Sequence, residues 1–370
     1  MTSQGQDSAV EVVIPSTMKA AVCKEAAATC VVENIPVPKP TGRHLLVKVK
    51  AASLCQTDLT VMSGNVGTHW FPLIPGHEAV SVVVQVPEEA TPWGFQVGDL
   101  VGAPLWCDFC LDCWSCKTDQ YEYCVNLKAK GVHAPGYFSE YTTVDAASAV
   151  LISRKFGVDT PLQGSDRRLS PIFCAGITVW DGLVQAKLAF TDSVGVIGVG
   201  GLGQVATAYL TSLGHKVIAM DVEEKQLTAC TEYYPGIETI DISKHPDLPA
   251  RVKELNGGNL LNAVFVTSGA KAAYDSALPL LAPYGKMIVL GLPLKPVEIS
   301  AHMMSDNRLS VVGARVPNAA SAAKCLEFCQ RLSIYPRVHH RNFKLEDLNE
   351  MMALMSSGQV DEGRMTVFFD

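Results

Sequence analysis

The stretch SVGVIGVGGLGQVATAYLTSLGH, Ser193 to His215, constrains this 370-residue chain more than any other. It carries no formal charge and is long enough to span a bilayer, but six glycines interrupt it. A buried strand (SVGVIG), a glycine turn and a helix (LGQVATAYLTSLG) account for it better. The pattern then repeats. HKVIAMD reads as a strand, and EEKQLTACTEYY as a helix stopped by Pro235 and Gly236. NAVFVTSG, AAYDSALPLLA, GKMIVLGL and RLSVVGAR continue the alternation. Strands alternating with helices predict right-handed βαβ units and a doubly wound parallel sheet.

Within the turn, Gly198, Gly200 and Gly203 form G-x-G-x-x-G, with Gly201 and Leu202 between them. That motif is weak alone but specific when it follows a strand and opens a helix, the Rossmann context for a dinucleotide. Gly198 permits the tight turn, Gly200 lets the backbone approach a pyrophosphate, and Gly203 lets helix and strand pack closely. The helix N-terminus offers free N–H groups to phosphate. The next strand ends at Asp221. A carboxylate there accepts hydrogen bonds from ribose hydroxyls and repels a 2′-phosphate. No arginine follows in DVEEK, so the reading is NAD(H) rather than NADP(H).

Before Gly176 the sequence reads as β-rich. TMKAAV, HLLVKVKAAS, EAVSVVVQV and GDLVGAP are short strand-like runs punctuated by proline and glycine. The expected organisation is a loose polar tail over 1–17, a compact β-rich domain over 18–176, the dinucleotide domain over 177–315, and a return to the first domain over 316–370. The opening residues lack a basic n-region and a continuous apolar core, so a cytoplasmic protein with reduced thiols is expected. The net charge of −7, with no long run of one sign, argues against nucleic acid or an anionic membrane as partner.

Reduced thiols give meaning to LWCDFCLDCWSCKTDQYEYC, which holds five cysteines. Clustered thiols in a reducing compartment favour metal over disulfides. Cys110, Cys113, Cys116 and Cys124 satisfy C-x₂-C-x₂-C-x₇-C, a tetrahedral set for structural Zn²⁺, and Cys107 is left over. An iron–sulfur cluster is the rival, and spacing does not exclude it. Three other segments hold further metal ligands: SLCQTDL has Cys55, PLIPGHEAV has His77 and Glu78, and PIFCAGITVW has Cys174. Together a Cys₂His set with an open fourth position is a catalytic zinc set.

These motifs, with GVGGLG and the closing LNEMMALMSSGQVDEGRMTVFF, resemble in order and spacing the zinc-dependent medium-chain alcohol dehydrogenases. The resemblance runs from Met18 almost to the end. It implies a GroES-like catalytic domain beside the Rossmann domain, one catalytic and one structural Zn²⁺, and NAD(H). It further implies that Cys55, His77 and Cys174 hold the catalytic zinc, with Glu78 behind the metal. Asp58 would orient His77, and Thr57 would hydrogen-bond the substrate oxygen. Thr178 would lie near the nicotinamide and Arg364 near the pyrophosphate. Trp106 matches an aromatic lining the alcohol pocket, although a core tryptophan explains it equally well. A small alcohol or carbonyl compound is the expected substrate, and a homodimer or homotetramer the expected assembly.

Two positions depart from the pattern. Gln56 stands where many relatives carry histidine or arginine, and Thr60 where many carry the histidine that ends a proton relay. Two other function classes compete. One is a dehydrogenase-like protein that binds a dinucleotide without turnover. The other is a zinc module that binds nucleic acid, which the composition opposes.

Overall fold

A computed structural model describes residues 12–64, 70–360 and 362–369. Six parallel strands form one sheet, in the spatial order Glu238–Asp241, Lys216–Asp221, Ser193–Ile197, Leu261–Val266, Leu281–Val289, Ser310–Gly313. Every residue of Ser193–Ile197 is buried, as expected for a parallel strand covered on both faces. The order reverses at Ser193–Ile197, so the crevice at its carboxyl end is the topological switch point where ligands bind such sheets.

The first sheet is antiparallel and organised around the long strand His44–Ser53. Residues 44–48 pair with Tyr141–Asp145, and residues 51–53 pair with Thr366–Phe368. Ala79–Gln85 pairs along nearly its whole length, through two register shifts. The C-terminal segment thus ends inside the first sheet, anchored by strand pairing.

One hydrophobic core joins the two sheets. It runs from Val80, Val82 and Leu100 through Phe173 and Ile177 to Val194, Ala219 and Phe265. The helix Ala175–Ala186 lies between them and packs on Gly201–Ser212 and Ala319–Leu332. At the amino end, 1–11 of the expected tail lie outside the described residues. Its last part is packed rather than loose, because Val12 and Ile14 sit against Met18, Leu46 and Tyr141, and the first strand already begins at Thr17. No helix among the described residues is long and apolar enough to cross a membrane. The apolar stretch of 193–215 is the strand, turn and helix that its glycines predict.

Candidate active site

The two cysteines of the expected catalytic set are placed by the same device. Cys55 is the N-cap of the helix Gln56–Met62, and Cys174 is the N-cap of Ala175–Ala186, each with non-helical backbone. A residue at that position leaves the helix direction, so its side chain projects from the helix end. Asp58 ties the first of these ends to the histidine. Its Oδ2 accepts from the Cys55 N–H at 2.9 Å, and its Oδ1 accepts from the Gly76 N–H at 3.1 Å. His77 Nδ1 lies 2.8 Å from the same Oδ1. One buried carboxylate therefore orients the ring and fixes both neighbouring backbones, as outer partners of metal-ligating histidines do.

The ligand atoms of Cys55, His77, Glu78 and Cys174 all lie within 4.8 Å of one another, and all four residues are buried. The set has the marks of a cation site. His77 Nε2 and Glu78 Oε1 are buried without a hydrogen-bond partner among the described residues. The other Glu78 oxygen, Oε2, is 3.0 Å from Arg364 Nη2. Burial pushes the Glu78 carboxyl up to about 8, while Arg364 pulls it down. Burial disfavours the Arg364 charge, but Glu78 and Cys55 more than offset it and hold the guanidinium above its ordinary range. The hydrogen bond to Cys174 draws Cys55 well below the usual thiol range, against its burial, and Cys174 stands correspondingly high. Burial works against a proton on His77, yet Asp58 outweighs it and raises the ring. A divalent cation held by these residues would take the place of that proton at Nε2 and of the one shared by the thiols. Two soft sulfurs, an imidazole nitrogen and an oxygen are ligands that zinc takes.

Thr57 is exposed in the first turn of the Cys55 helix, its Oγ1 3.9 Å from Cys55 Sγ. Thr178 is less free than the resemblance implies, since its hydroxyl donates to the Cys174 carbonyl at 2.7 Å and only lone pairs remain for a ligand. Thr60 similarly donates to the Gln56 carbonyl at 3.0 Å.

The glycine turn follows directly. Gly198 has φ +91°, open to glycine at little cost. A Cβ on Gly203 would stand 1.9 Å from the Gly198 carbonyl oxygen, so only glycine lets the helix start against the strand. Gly200 has nothing within 4 Å of a Cβ position, while Gly201 faces Arg364 Cδ at 3.4 Å. Leu202 is half-buried beside it. Asp221 Oδ2 accepts from the Val199 N–H at 2.7 Å, and Oδ1 accepts from Val222 and Glu223 at 2.7 and 3.0 Å. A cavity of about 490 Å³ opens here, bounded by Gly198, Gly200 and Asp221 on one side and by Ser357 and Gly358 on the other. The sequence reading missed Thr267, Ser268 and Lys225 on this wall. Lys225 lies only four residues past Asp221, and its Nζ donates to the Gly358 carbonyl at 2.7 Å.

Away from the cleft, the sulfurs of Cys110, Cys113, Cys116 and Cys124 also lie within 4.8 Å of one another. Backbone N–H groups point at them: Cys110 to Cys124 Sγ at 3.1 Å and Cys113 to Cys110 Sγ at 3.2 Å. N–H donors from Cys116 and Val125 hold the Cys113 thiol down to about 6. Cys107 is outside the set, in the short strand Trp106–Cys107, and burial pushes its thiol up to about 12. A third group, His44 with Asp108 and Asp145, is an ion-pair network. Arg43 lies 2.6 Å from Asp145 and Lys128 lies 3.1 Å from Asp108, so its carboxylates are already neutralised.

Comparison with known proteins agrees with this geometry. Residues 41–154 match the model of the alcohol dehydrogenase GroES-like domain, and residues 201–331 match that of the zinc-binding dehydrogenases. An alcohol dehydrogenase of Geobacillus stearothermophilus is 30% identical over 358 residues, covering 95% of this chain and 100% of that protein. One from Rhizobium meliloti (strain 1021) is 29% identical, covering 95% and 98%. The crystal structure of the alcohol dehydrogenase from Aeropyrum pernix superposes with a TM-score of 0.83 at 24% identity, covering 95% of this chain and 100% of that one. This chain belongs to the zinc-dependent medium-chain alcohol dehydrogenase family.

Proposed function

We propose that the protein interconverts an alcohol and its aldehyde or ketone, with NAD(H) as hydride carrier and a catalytic zinc held by Cys55, His77 and Cys174. One observation carries this reading: Arg364 touches both halves of the machinery, bonding Glu78 at the metal set and lying against Gly201 of the glycine turn. The metal and dinucleotide positions are thus neighbours across one cleft. Zinc, when bound, supplies a Lewis acid that acidifies an alcohol or polarises a carbonyl, and the nicotinamide accepts or returns the hydride. The chain's own residues supply the rest. Asp58 holds His77 so that Nε2 faces the ligand, and Thr57 hydrogen-bonds the substrate oxygen. Glu78, whose Oε1 is buried without a partner among the described residues, would offer that oxygen to the zinc during ligand exchange. Arg364 neutralises Glu78 on one side and faces the cofactor phosphates on the other. A panel of alcohols and aldehydes, with zinc analysis of the same sample, tests this reading. Absence of turnover with both metals bound would favour a dinucleotide-binding role instead.

The cofactor choice rests on Asp221. Three backbone donors hold its carboxylate in place, so it does not swing aside for a 2′-phosphate. Glu223 adds a second negative charge on the cavity wall, and the nearby cation, Lys225, is engaged by Gly358. Opposed like charges at a binding surface cost several kcal/mol, so kcat/KM should favour NADH over NADPH by about 100-fold. Asp221→Ser should narrow that gap, and an NADPH preference in the wild type would refute the assignment.

We place the protein in the cytoplasm as a homo-oligomer. Among the described residues, the strand Ser310–Gly313 ends the parallel sheet with its outer edge unpaired and Val311 exposed. An unpaired edge is a template for a second copy, and a two-fold pairing there would join two parallel sheets. Light scattering should show a dimer or tetramer. Val311→Lys should shift it toward monomer, and an unchanged mass in that variant would place the interface elsewhere.

A further inference from the structure

Segment 335–338 follows the helix Ala319–Leu332 and runs where the two domains meet. Its backbone is held from the metal side. Arg168, in the turn that leads to Cys174, donates through Nε to the Pro336 carbonyl at 3.0 Å and through Nη2 to the Tyr335 carbonyl at 2.8 Å. The Arg337 carbonyl accepts from the Arg364 N–H at 2.7 Å, and the His339 N–H donates to the Arg364 carbonyl at 2.9 Å. Gly363 packs so closely here that a Cβ on it would stand 2.8 Å from the Val338 carbonyl carbon. The Arg337 side chain joins this backbone to the other domain. Its guanidinium carbon lies 3.3 Å from the ring centre of Tyr233, the last residue of the helix Glu224–Tyr233. Its Nη2 donates to Glu362 Oε2 at 2.5 Å, two residues before Arg364. The Arg337 side chain is 7% exposed, whereas the Tyr233 ring stacked on it is half-exposed.

We propose that Arg337 is a positioning residue for the cofactor: it fastens the turn that carries Arg364 to the dinucleotide domain, and so sets the hold on the pyrophosphate. The proposal rests on the function argued above, in which a dinucleotide fills the cleft. Arg364 lies against Gly201, the first residue of the helix Gly201–Ser212. The N-terminus of such a helix offers free N–H groups to phosphate. Arg337, Arg364 and Gly201 border one small cavity, so two guanidinium groups stand at that helix end. Arg364 already commits Nη2 to Glu78. A small displacement of its turn therefore decides whether the rest of the guanidinium meets the phosphates. Arg337 also steadies the opposite wall. The helix Glu224–Tyr233 is tied to the catalytic domain at both ends, through Lys225 to Gly358 and through Tyr233 to Arg337. Its N-cap, Glu223, lies with Asp221 on the cofactor cavity. A planar guanidinium stacks on a ring and gives its in-plane N–H groups to a carboxylate at the same time. An ammonium keeps the ion pair and loses the stack.

The test is calorimetric titration of wild type, Arg337→Ala and Arg337→Lys with NADH, ADP-ribose and adenosine. In Arg337→Ala, the Kd for NADH and for ADP-ribose should each rise about tenfold, the order of one mis-set hydrogen bond to a charged group. ADP-ribose lacks the nicotinamide, so a matching loss assigns the effect to the pyrophosphate. The Kd for adenosine, which has no phosphate, should stay within about twofold. Arg337→Lys should be intermediate. A general loosening of the fold would instead weaken all three ligands alike. Tyr233→Ala removes the stack from a half-exposed position and should repeat the pattern, which covers the case of a poorly folded Arg337→Ala. Folded variants with an unchanged Kd for NADH, or with equal losses for NADH and adenosine, would overturn the inference alone. A wild type that binds neither NADH nor ADP-ribose would overturn the proposed function as well.

Discussion

Cys110→Ser is expected to yield protein with one zinc ion per chain instead of two, and with Tm lowered by about 10 °C or more. The sulfur it removes lies against two others of the set. Cys110 Sγ receives the Cys113 N–H and lies 3.5 Å from Cys124 Sγ and 3.9 Å from Cys116 Sγ. Without a metal, the remaining thiols would face one another at close range in the loop. Asp108, Leu111 and Asp119 in this loop adopt left-handed backbone, a conformation that costs non-glycine residues about 1 kcal/mol or more each and persists only where surroundings impose it. A metal held by the four sulfurs would help impose it. Cys107→Ser is the control. It buries a hydroxyl in place of a thiol and costs some stability, about 1–3 kcal/mol, but the sample should still hold two zinc ions. Elemental analysis with thermal unfolding measures both. Iron in the wild type, or loss of zinc from Cys107→Ser, would overturn the assignment of the set.

The four thiols were legible because they lie within fifteen residues and their spacing is a property of one loop. The cleft set was legible in a different way. Cys55, His77 and Cys174 are far apart in the chain, and each alone reads as a buried residue. The sequence does not display the device that joins them, two helices whose N-caps are Cys55 and Cys174. Both helices, Gln56–Met62 and Ala175–Ala186, went unread, since their first turns are occupied by ligand motifs rather than by apolar periodicity. The edge strand Glu238–Asp241 was also missed. It has four residues, only Ile240 of them buried, and follows Pro235 and Gly236, so the local signal is that of a turn. Its pairing with Lys216–Asp221 decides the matter. Arg337 lies beyond sequence reasoning for a related reason. Its partner Tyr233 is far upstream in the other domain, and a stack on a ring has no local pattern. Lys225, by contrast, was within reach, four residues past Asp221 on the first turn of the next helix.

Thr57→Val should lower turnover by about 10²- to 10³-fold while both zinc ions remain bound. The loss corresponds to removing one hydrogen-bonding group from the reacting oxygen. Thr57 is suited to the role because a hydroxyl both donates and accepts, and because its helix begins at Cys55, so the hydroxyl and the sulfur are carried by one rigid turn. The onward route for the proton is the unusual part. Three residues along the helix, on the same face, stands Thr60. Its hydroxyl already donates to the Gln56 carbonyl, and an aliphatic hydroxyl neither gains nor loses a proton near neutral pH. Gln56 is neutral too. Neither side chain can store the proton released when an alcohol is oxidised, so that proton must pass to water. Alcohol oxidation should therefore be slow near pH 7 and rise with pH as hydroxide becomes available, while carbonyl reduction, which draws a proton from water, should be less affected. Thr60→His places a group of pKa about 6.5 at that point. It should raise the oxidation rate at pH 7 several-fold, add a titration near that pKa to the pH profile, and leave NADH affinity unchanged. A correctly folded Thr60→His enzyme with the wild-type pH profile would show that proton exit does not limit the rate. Wild-type turnover in Thr57→Val would remove Thr57 from the reaction altogether.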